Sequence, residues 1–511
     1  MSNARPEVHI PPFAGSGTPT PPVALTDHFA PRYIVGNVPA GDPNTAQAAP
    51  FVYIPDPGDG TGIASALALA SATPGDVWIR PGTYNLTTRA AALAAMLVPA
   101  GVKVRCAGRG LVTIVGQTAL DQGVFRMAAN SALEDCTITV AAGANGTAGQ
   151  RGVITVEGDA VALARVSVSG ALNAAAALRA AISLAPLAVF GLPQSVSMQD
   201  ISATFTGTNG TVDPCAPIEI QPAPNSSAAW SMSVENLTTS GGDYGIVDPN
   251  ANATSPTSFI SLRDATLSGW VYGGLSTWSV VDAHDLRVAS STANAAADLI
   301  AVSTRTTLTT ALRDITLEVS GKGATVASGI HIRTPPTAGG QNPAPGSPLI
   351  DQVVLVGTGP GGIFGIGVRL DVSSAVGGVV RGVNGFFNLS GVEVGIGCDG
   401  VTVRDVYVQF GADGPQVVGV YSASPRTKVS NVTVSGGVPL AGNAYGVFLD
   451  VGATECSVQG NTLAMTNGFG INLVGANNSV CVGNVVDMAG VPANGIVNVP
   501  VSATVAQNVI I

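Results

Sequence analysis

An apolar residue, one spacer, Asp or Asn, then alternating apolar residues: this order returns about a dozen times along the chain. It reads Leu133-Glu134-Asp135-Cys136-Thr137-Ile138 and Leu262-Arg263-Asp264-Ala265-Thr266-Leu267. It returns as Leu312-Arg313-Asp314-Ile315-Thr316-Leu317, Val403-Arg404-Asp405-Val406-Tyr407-Val408 and Val429-Ser430-Asn431-Val432-Thr433-Val434. The interval is mostly about 21 to 38 residues, a period that marks stacked supersecondary units rather than one closed core.

A second phrase alternates with the first: a glycine followed by apolar residues at every other position. Examples are Gly329-Ile330-His331-Ile332, Gly367-Val368-Arg369-Leu370, Gly391-Val392-Glu393-Val394, Gly446-Val447-Phe448-Leu449 and Gly470-Ile471-Asn472-Leu473. Both phrases have period two, so each predicts a short strand with one face inward and one outward. Helical patterning is absent after about residue 102, which excludes a βαβ array. Coils of roughly 25 residues cannot each enclose a core, but stacked at about 4.8 Å they bury one continuous column. About 13 such coils are expected, with Pro/Gly-rich insertions such as Thr334 to Pro348 leaving the rod as loops.

The first hundred residues differ. Residues 1–55 carry Pro6, Pro11, Pro12, Pro19, Pro21, Pro22, Pro31, Pro39, Pro43, Pro50 and Pro55, which predict an extended arm without long helices or interior strands. Residues 56–100 hold Asp59-Gly60-Thr61, an Ala/Leu stretch from Ile63 to Ser71 that reads as a short helix ended by Pro74-Gly75, and the strand Val77-Trp78-Ile79 before the turn at Pro81-Gly82. Residues 101–511 carry the repeat.

Asp59-Gly60-Thr61, the Ala/Leu helix and Asp76-Val77-Trp78-Ile79-Arg80-Pro81-Gly82-Thr83-Tyr84 resemble the N-terminal cap of the pectate-lyase-like superfamily. The last coils, with Gly460-Asn461-Thr462-Leu463 and Gly483-Asn484-Val485-Val486, are similar to that superfamily's repeats. The resemblance spans about residues 56 to 511 and implies an all-β, right-handed parallel β-helix with a capping helix at its start. It offers a menu of functions only: lyases, hydrolases, epimerases, tailspike depolymerases and non-catalytic virion or adhesin rods. It also implies side-by-side trimers.

Composition narrows that menu. Hydrophobic residues make up 46% of the chain but aromatics only 5% and charged residues 11%, which suits a narrow core of small and β-branched side chains. The formal net charge is −10 and Lys occurs only at 103, 322 and 428, so no basic stripe exists to follow a nucleic acid. The six cysteines form no CxxC pair or zinc-spaced cluster, and read as small core residues. No secretion signal is visible at the N-terminus, and the most apolar stretch, Ala171 to Leu192, carries Asn173, Arg179 and Pro186 and is a poor membrane span. No nucleotide loop, GxSxG elbow or HExxH motif appears, and no cofactor or metal is expected.

The recurring carboxylates (Asp135, Asp200, Asp264, Asp285, Asp314 and Asp405) are read as corner residues, with Asn236, Asn431, Asn461, Asn484 and Asn508 in the same column. Asx side chains tolerate left-handed backbone, and catalysis needs one constellation rather than a slot in every coil. Alternation instead places His331, Arg333, Arg369, Asp371 and Glu393 outward on three successive coils, where a carboxylate, a base and arginines suit sugar-acid binding. The same residues also make ordinary cross-strand ion pairs. Trp270, Tyr272 and Trp278 form a candidate aromatic platform for a glycan, or pack against a loop. Asp282-Ala283-His284-Asp285 reads as a surface pair.

No residue earns a catalytic assignment from sequence. The leading expectation is a non-enzymatic structural rod of a phage or virus, a spike, fibre or capsid-decorating protein attached to other virion proteins through residues 1–55. A strand at Val505 to Ile511 with no polar cap is expected to need a partner at its edge. The alternatives are a polysaccharide lyase or hydrolase of the tailspike depolymerase type and an adhesin binding a surface glycan without turnover.

Overall fold

The computed structural model of the chain describes residues 31–36, 51–86, 96–116, 123–140, 152–172, 178–185, 194–210, 214–221, 230–248, 258–291, 293–294, 297–303, 309–320, 325–333, 347–358, 363–371, 377–410, 417–436, 444–466, 468–489 and 494–511. Much of the expected Pro-rich arm (1–30 and 37–50) and most of the insertion after Arg333 (334–346) lie outside the described residues. The rest winds into a right-handed parallel β-helix. Strands pair in parallel with the strand one coil before and one coil after.

A coil has three faces. The first strand, such as Ala132–Glu134, is followed after a sharp corner by a second, such as Thr137–Val140. In the central coils these two are one bent strand, as in Gln194–Thr206 and Trp230–Gly241. A longer connection leads to the third, glycine-led strand, such as Gly273–Thr277 or Ala444–Leu449, which lies on what we call the Gly face. Among the described residues, fifteen strands stack on the Gly face, from Met96–Val98 to Ile496–Val497. The rod is therefore longer than spacing suggests, because several coils lack the recognisable phrase. Its core is a set of aliphatic files, such as Val403, Val429, Val458 and Cys481 on successive rungs, all buried. All six cysteines are buried and unbridged.

Two local requirements explain the two phrases. The corner between first and second strands needs one residue with left-handed backbone, which costs most L-residues about 1–2 kcal/mol and Asx less. Asp135, Asp200, Asn236, Asp264, Asp285, Asp314, Asp405 and Asn431 fill it with φ between 52° and 63°. In the last coils the register slips by one. Gly460, Gly483 and Gln507 take the left-handed position, and the asparagine that follows each turns inward. Asn461 Nδ2 donates to Asn484 Oδ1 at 2.8 Å, and Asn484 Nδ2 donates to Asn508 Oδ1 at 2.8 Å. Each of these carbonyl oxygens also accepts the backbone N–H of the preceding asparagine, at 3.1 and 3.0 Å. Asn461, Asn484 and Asn508 are thus an interior ladder, not corner residues.

The glycine of the second phrase is required by crowding. A Cβ at Gly367 would lie 2.5 Å from the Gly391 carbonyl oxygen on the next rung and 2.5 Å from the Phe387 ring. Gly446 meets the Gly470 carbonyl oxygen at 2.7 Å and Leu463 at 2.8 Å.

The start of the rod departs from chain order. Pro31–Gly36 lies between Val52–Pro55 and Asp76–Ile79, with Tyr33 opposite Val52 on one side and Val77 on the other. An interior strand in this Pro-rich segment corrects the sequence expectation. Pro31 is tolerated because it occupies the strand's first position, where its missing N–H is not part of the ladder. The helix Thr61–Ala72 packs beside these strands through Ile63, Ala66, Leu67 and Ala70. The buried Asp56 carboxylate receives the N–H groups of Gly58, Asp59, Gly60 and Ile63 at 2.8 to 3.1 Å, fixing the turn into the helix.

Candidate functional site

The outward positions of the Gly face carry the most varied chemistry of the rod. In register, His331 stands opposite Arg369, Arg369 opposite Glu393, Glu393 opposite Tyr421 and Tyr421 opposite Phe448. Each is flanked by buried inward residues, aliphatic except for Ser422 beside Tyr421, for example Ile330 and Ile332 around His331. Alternation on a fixed core therefore aims these side chains outward at one-rung intervals of about 4.8 Å.

The cluster is tightly connected. His331 Nδ1 lies 2.9 Å from Asp298 Oδ2, and its Nε2 faces Asp371 Oδ2 across 4.0 Å. Arg369 Nη2 donates to Asp371 at 3.2 Å, and its Nε lies 3.7 Å from Glu393 Oε1. Arg333 Nε donates to Ser303 Oγ at 3.0 Å and has no carboxylate at ion-pair distance among the described residues. Tyr421 donates its hydroxyl proton to Asp450 Oδ2 at 2.7 Å.

Burial sets the protonation behaviour. It raises the pKa of Glu393 above the ordinary glutamate range; Arg369 and His331 pull the other way, while Asp371 adds to the rise. Tyr421 is likewise pushed up, first by burial and then by its hydrogen bond to Asp450. Tyr244, whose ring lies near Arg333, is raised by burial and by the Asp243 charge.

The structure brings together all five titratable candidates, His331, Arg333, Arg369, Asp371 and Glu393. It does not bring together the three aromatic ones. Trp270 is fully buried in the core and offers no face to a sugar. Tyr272, half-buried, packs against Tyr244 with ring centroids 6.2 Å apart. Trp278 sits beyond the other end of the strand Gly273–Thr277, so nearness in sequence does not become a shared platform. Alternation along the Gly phrases misses Asp298 and Tyr421. In the strand Asp298–Ser303 the glycine slot holds Leu299, which hides the phrase. Gly419-Val420-Tyr421 carries the full signal and puts Tyr421 in the outward file.

Other charged groups serve the corner. His284 bridges Asp285 through Nδ1 at 2.6 Å and Asp314 through Nε2 at 3.0 Å, and Asp282 holds Arg263 and Arg313 at 2.9 and 2.8 Å. His284, Asp285 and Asp314 are also the one group among the described residues with donors spaced for a metal ion, but both ring nitrogens already face carboxylates. A cleft of about 460 Å³ lies at the same corner, lined by Arg109, Asp135, Arg165, Asp200 and Asn236. Its charges are taken up locally: Arg165 pairs with Asp135 at 2.6 Å, and Arg109 bonds the Asp200 carbonyl at 3.2 Å. The chemistry therefore lies on the Gly face and not in this cleft.

No known protein family matches the sequence, and no curated protein matches it. Solved structures of similar fold do. A mannuronic-acid-specific polysaccharide family 6 lyase from human gut microbiota is 10% identical over 87% of this chain and 89% of that one, with a TM-score of 0.39. The catalytic domain of a GH87 α-1,3-glucanase in complex with nigerose is 14% identical over 96% of this chain and 70% of that one, with a TM-score of 0.37. Tailspike protein 3 of bacteriophage CBA120 is 12% identical over 87% of this chain and 58% of that one, with a TM-score of 0.30. The likeness is one of fold.

The expectation of a non-enzymatic rod is corrected here. It rested in part on the lack of a convincing catalytic cluster, and the Gly face holds a connected set of acid, base and guanidinium groups. The solved structures of similar fold include mannuronan epimerases, polysaccharide lyases and a glucanase beside the phage tailspike. Among the described residues no helix is long and apolar enough to cross a membrane.

Proposed function

We propose that the chain cleaves an acidic polysaccharide laid along the Gly face, by β-elimination at a uronate. The observation that carries this reading is His331 held by Asp298 through Nδ1, with Arg333, Arg369 and Glu393 at neighbouring outward positions. A Nδ1–H donated to Asp298 leaves the lone pair on Nε2, the state a general base needs. In the free protein Nε2 is buried beneath the Asp371–Arg369 pair. A substrate carboxylate that takes up Arg369 loosens Asp371 and opens Nε2 to the sugar.

His331 then removes the proton on the carbon bearing the carboxylate, while Arg333 and Arg369 offset the charge that develops there. The electron pair forms a carbon–carbon double bond, the bond to the glycosidic oxygen breaks, and that oxygen takes a proton from Glu393. Burial suits Glu393 to this step, since it holds the carboxyl group protonated to higher pH than usual. A polymeric substrate is met outside the cell, either by a free protein or by one carried on a virion. For the second setting, trimers tethered through residues 1–55 are tested by the mass in solution with and without that segment.

Uronate polysaccharides incubated with the protein are expected to yield unsaturated products, followed by their absorbance. Glu393→Gln and His331→Ala are expected to lose that absorbance while remaining folded, as read by cooperative thermal unfolding. New reducing ends without unsaturation would convert the reading to hydrolysis. Glycan binding with no product from any acidic or neutral polymer would replace it with an adhesin.

A further inference from the structure

We infer that Tyr421, Phe448 and Phe469 form a sugar-binding subsite for the stretch of glycan that runs from the cleavage cluster toward the C-terminal coils. The inference rests on the Gly face being the cleavage site. Tyr421 and Phe448 continue the outward file that contains His331, Arg369 and Glu393, on the next two rungs. The Tyr421 and Phe448 rings meet at 80° with centroids 5.7 Å apart, making a floor and a wall. Tyr445 stacks on Phe448 at 4.8 Å and on Phe469 at 5.4 Å, so the aromatic surface extends without a break to the following coil.

Burial separates this surface from the core. Tyr445 is 7% exposed and sandwiched, the role of a support. Tyr421 and Phe448 are half-buried and alternate with Val420 and Val447 of the interior, and Phe469, opposite Tyr445, is half-buried at the start of its strand. Polar groups stand at the rim: Asp450 accepts from Tyr421, and Asn498 Nδ2 donates to Asn472 Oδ1 at 3.1 Å, with Asn472 opposite Phe448. Apolar ring faces bordered by a carboxylate and amides fit a pyranose, which is apolar on its C–H face and polar around its edge. On the other side of the cluster the outward file carries no aromatic residue among the described residues, and Tyr244 and Tyr272 pair at the strand starts instead. There the same file holds Ala301, Ser276 and Val247. The subsite therefore gives the bound glycan a preferred side, and affinity should grow as sugars are added toward the C-terminal coils.

The test measures KM and kcat on uronate oligosaccharides of increasing length for the parent, Phe448→Ala and Phe448→Tyr, with melting temperatures alongside. KM is expected to fall with length in the parent. That gain should shrink by about tenfold in Phe448→Ala, equivalent to about 1.4 kcal/mol, and return in Phe448→Tyr. A lower melting temperature for Phe448→Ala with the length dependence intact would mean the rings only pack the rod. That result overturns the subsite and leaves the cleavage reading standing. Should the parent turn over no acidic glycan, binding to a glycan array decides: binding lost in Phe448→Ala supports the subsite, and no binding or unchanged binding refutes it.

Discussion

Two files of polar side chains run along the same rod, and they obey opposite rules. At the corner, Asp or Asn recurs in most coils because the backbone there must be left-handed, with Arg165, Gln352 and Gly382 in the same slot of three others, and the side chains are spent on their neighbours. Arg165 takes Asp135, Asn236 takes Asp200, and His284 spans Asp285 and Asp314. On the Gly face the steric requirement falls on the inward slot, usually glycine, so the outward position two residues later is free to vary. There the residue changes at every rung, from Ala301 to His331, Arg369, Glu393, Tyr421 and Phe448. In a repeat protein, regularity marks what the fold needs and irregularity marks what it does.

The largest effect that tests this contrast is on turnover. Glu393→Gln is expected to lower the rate of glycan cleavage by about 10²- to 10⁴-fold. Asp264→Asn, at a corner, is expected to leave the rate unchanged; a comparable loss in Asp264→Asn would erase the distinction between the two files. Next comes the interior ladder. Asn484→Ala removes the oxygen that receives both the N–H and the Nδ2 of Asn461, and is expected to cost about 1–3 kcal/mol in a denaturant titration. A cost near zero would show that the ladder is ornamental.

The corner itself gives a smaller, signed test. Asp264→Val puts a β-branched residue at φ 52° and is expected to cost about 1–2 kcal/mol, whereas Asp264→Gly should lie within a few tenths of the parent. The reverse order would refute the backbone explanation of the repeat. The smallest expected effect is a pH slope. Burial raises the folded-state pKa of Glu393, so the folded protein binds the proton more tightly than the unfolded chain. Its contribution to stability is full below the ordinary glutamate pKa and is lost as pH rises through the raised value. Glu393→Gln lacks this loss, so its melting temperature relative to the parent should be higher at about pH 8 than at about pH 4. A pH-independent difference would place Glu393 in an unperturbed setting.

The fold was legible because steric rules repeat. The Asx slot and the glycine slot recur often enough to be seen without any contact information. Alternation within the Gly phrases was enough to point His331, Arg333, Arg369, Asp371 and Glu393 to one surface. What stayed hidden depended on particulars. Asp298 lies in a coil where Leu299 replaces the glycine, and it reaches His331 diagonally, from opposite Ser328. Trp270 is drawn into the core because the turn after Ser268 faces it inward, and no pattern in Gly269-Trp270-Val271-Tyr272 announces that. In the last coils, Gly-Asn looks like the corner phrase, yet glycine takes the strained position and releases the asparagine to the interior.

The strand Pro31–Gly36 has one further consequence, for the order in which a nascent chain can close. It leaves the ribosome before both of its partners, Val52–Pro55 and Asp76–Ile79, and has no edge to dock on until they follow. Vectorial folding from this end must therefore hold the segment open, with Tyr33 and Val35 exposed, until Ile79 has emerged. A pause in translation beyond that point would favour closure; one before it would lengthen the exposure of an unpaired apolar strand.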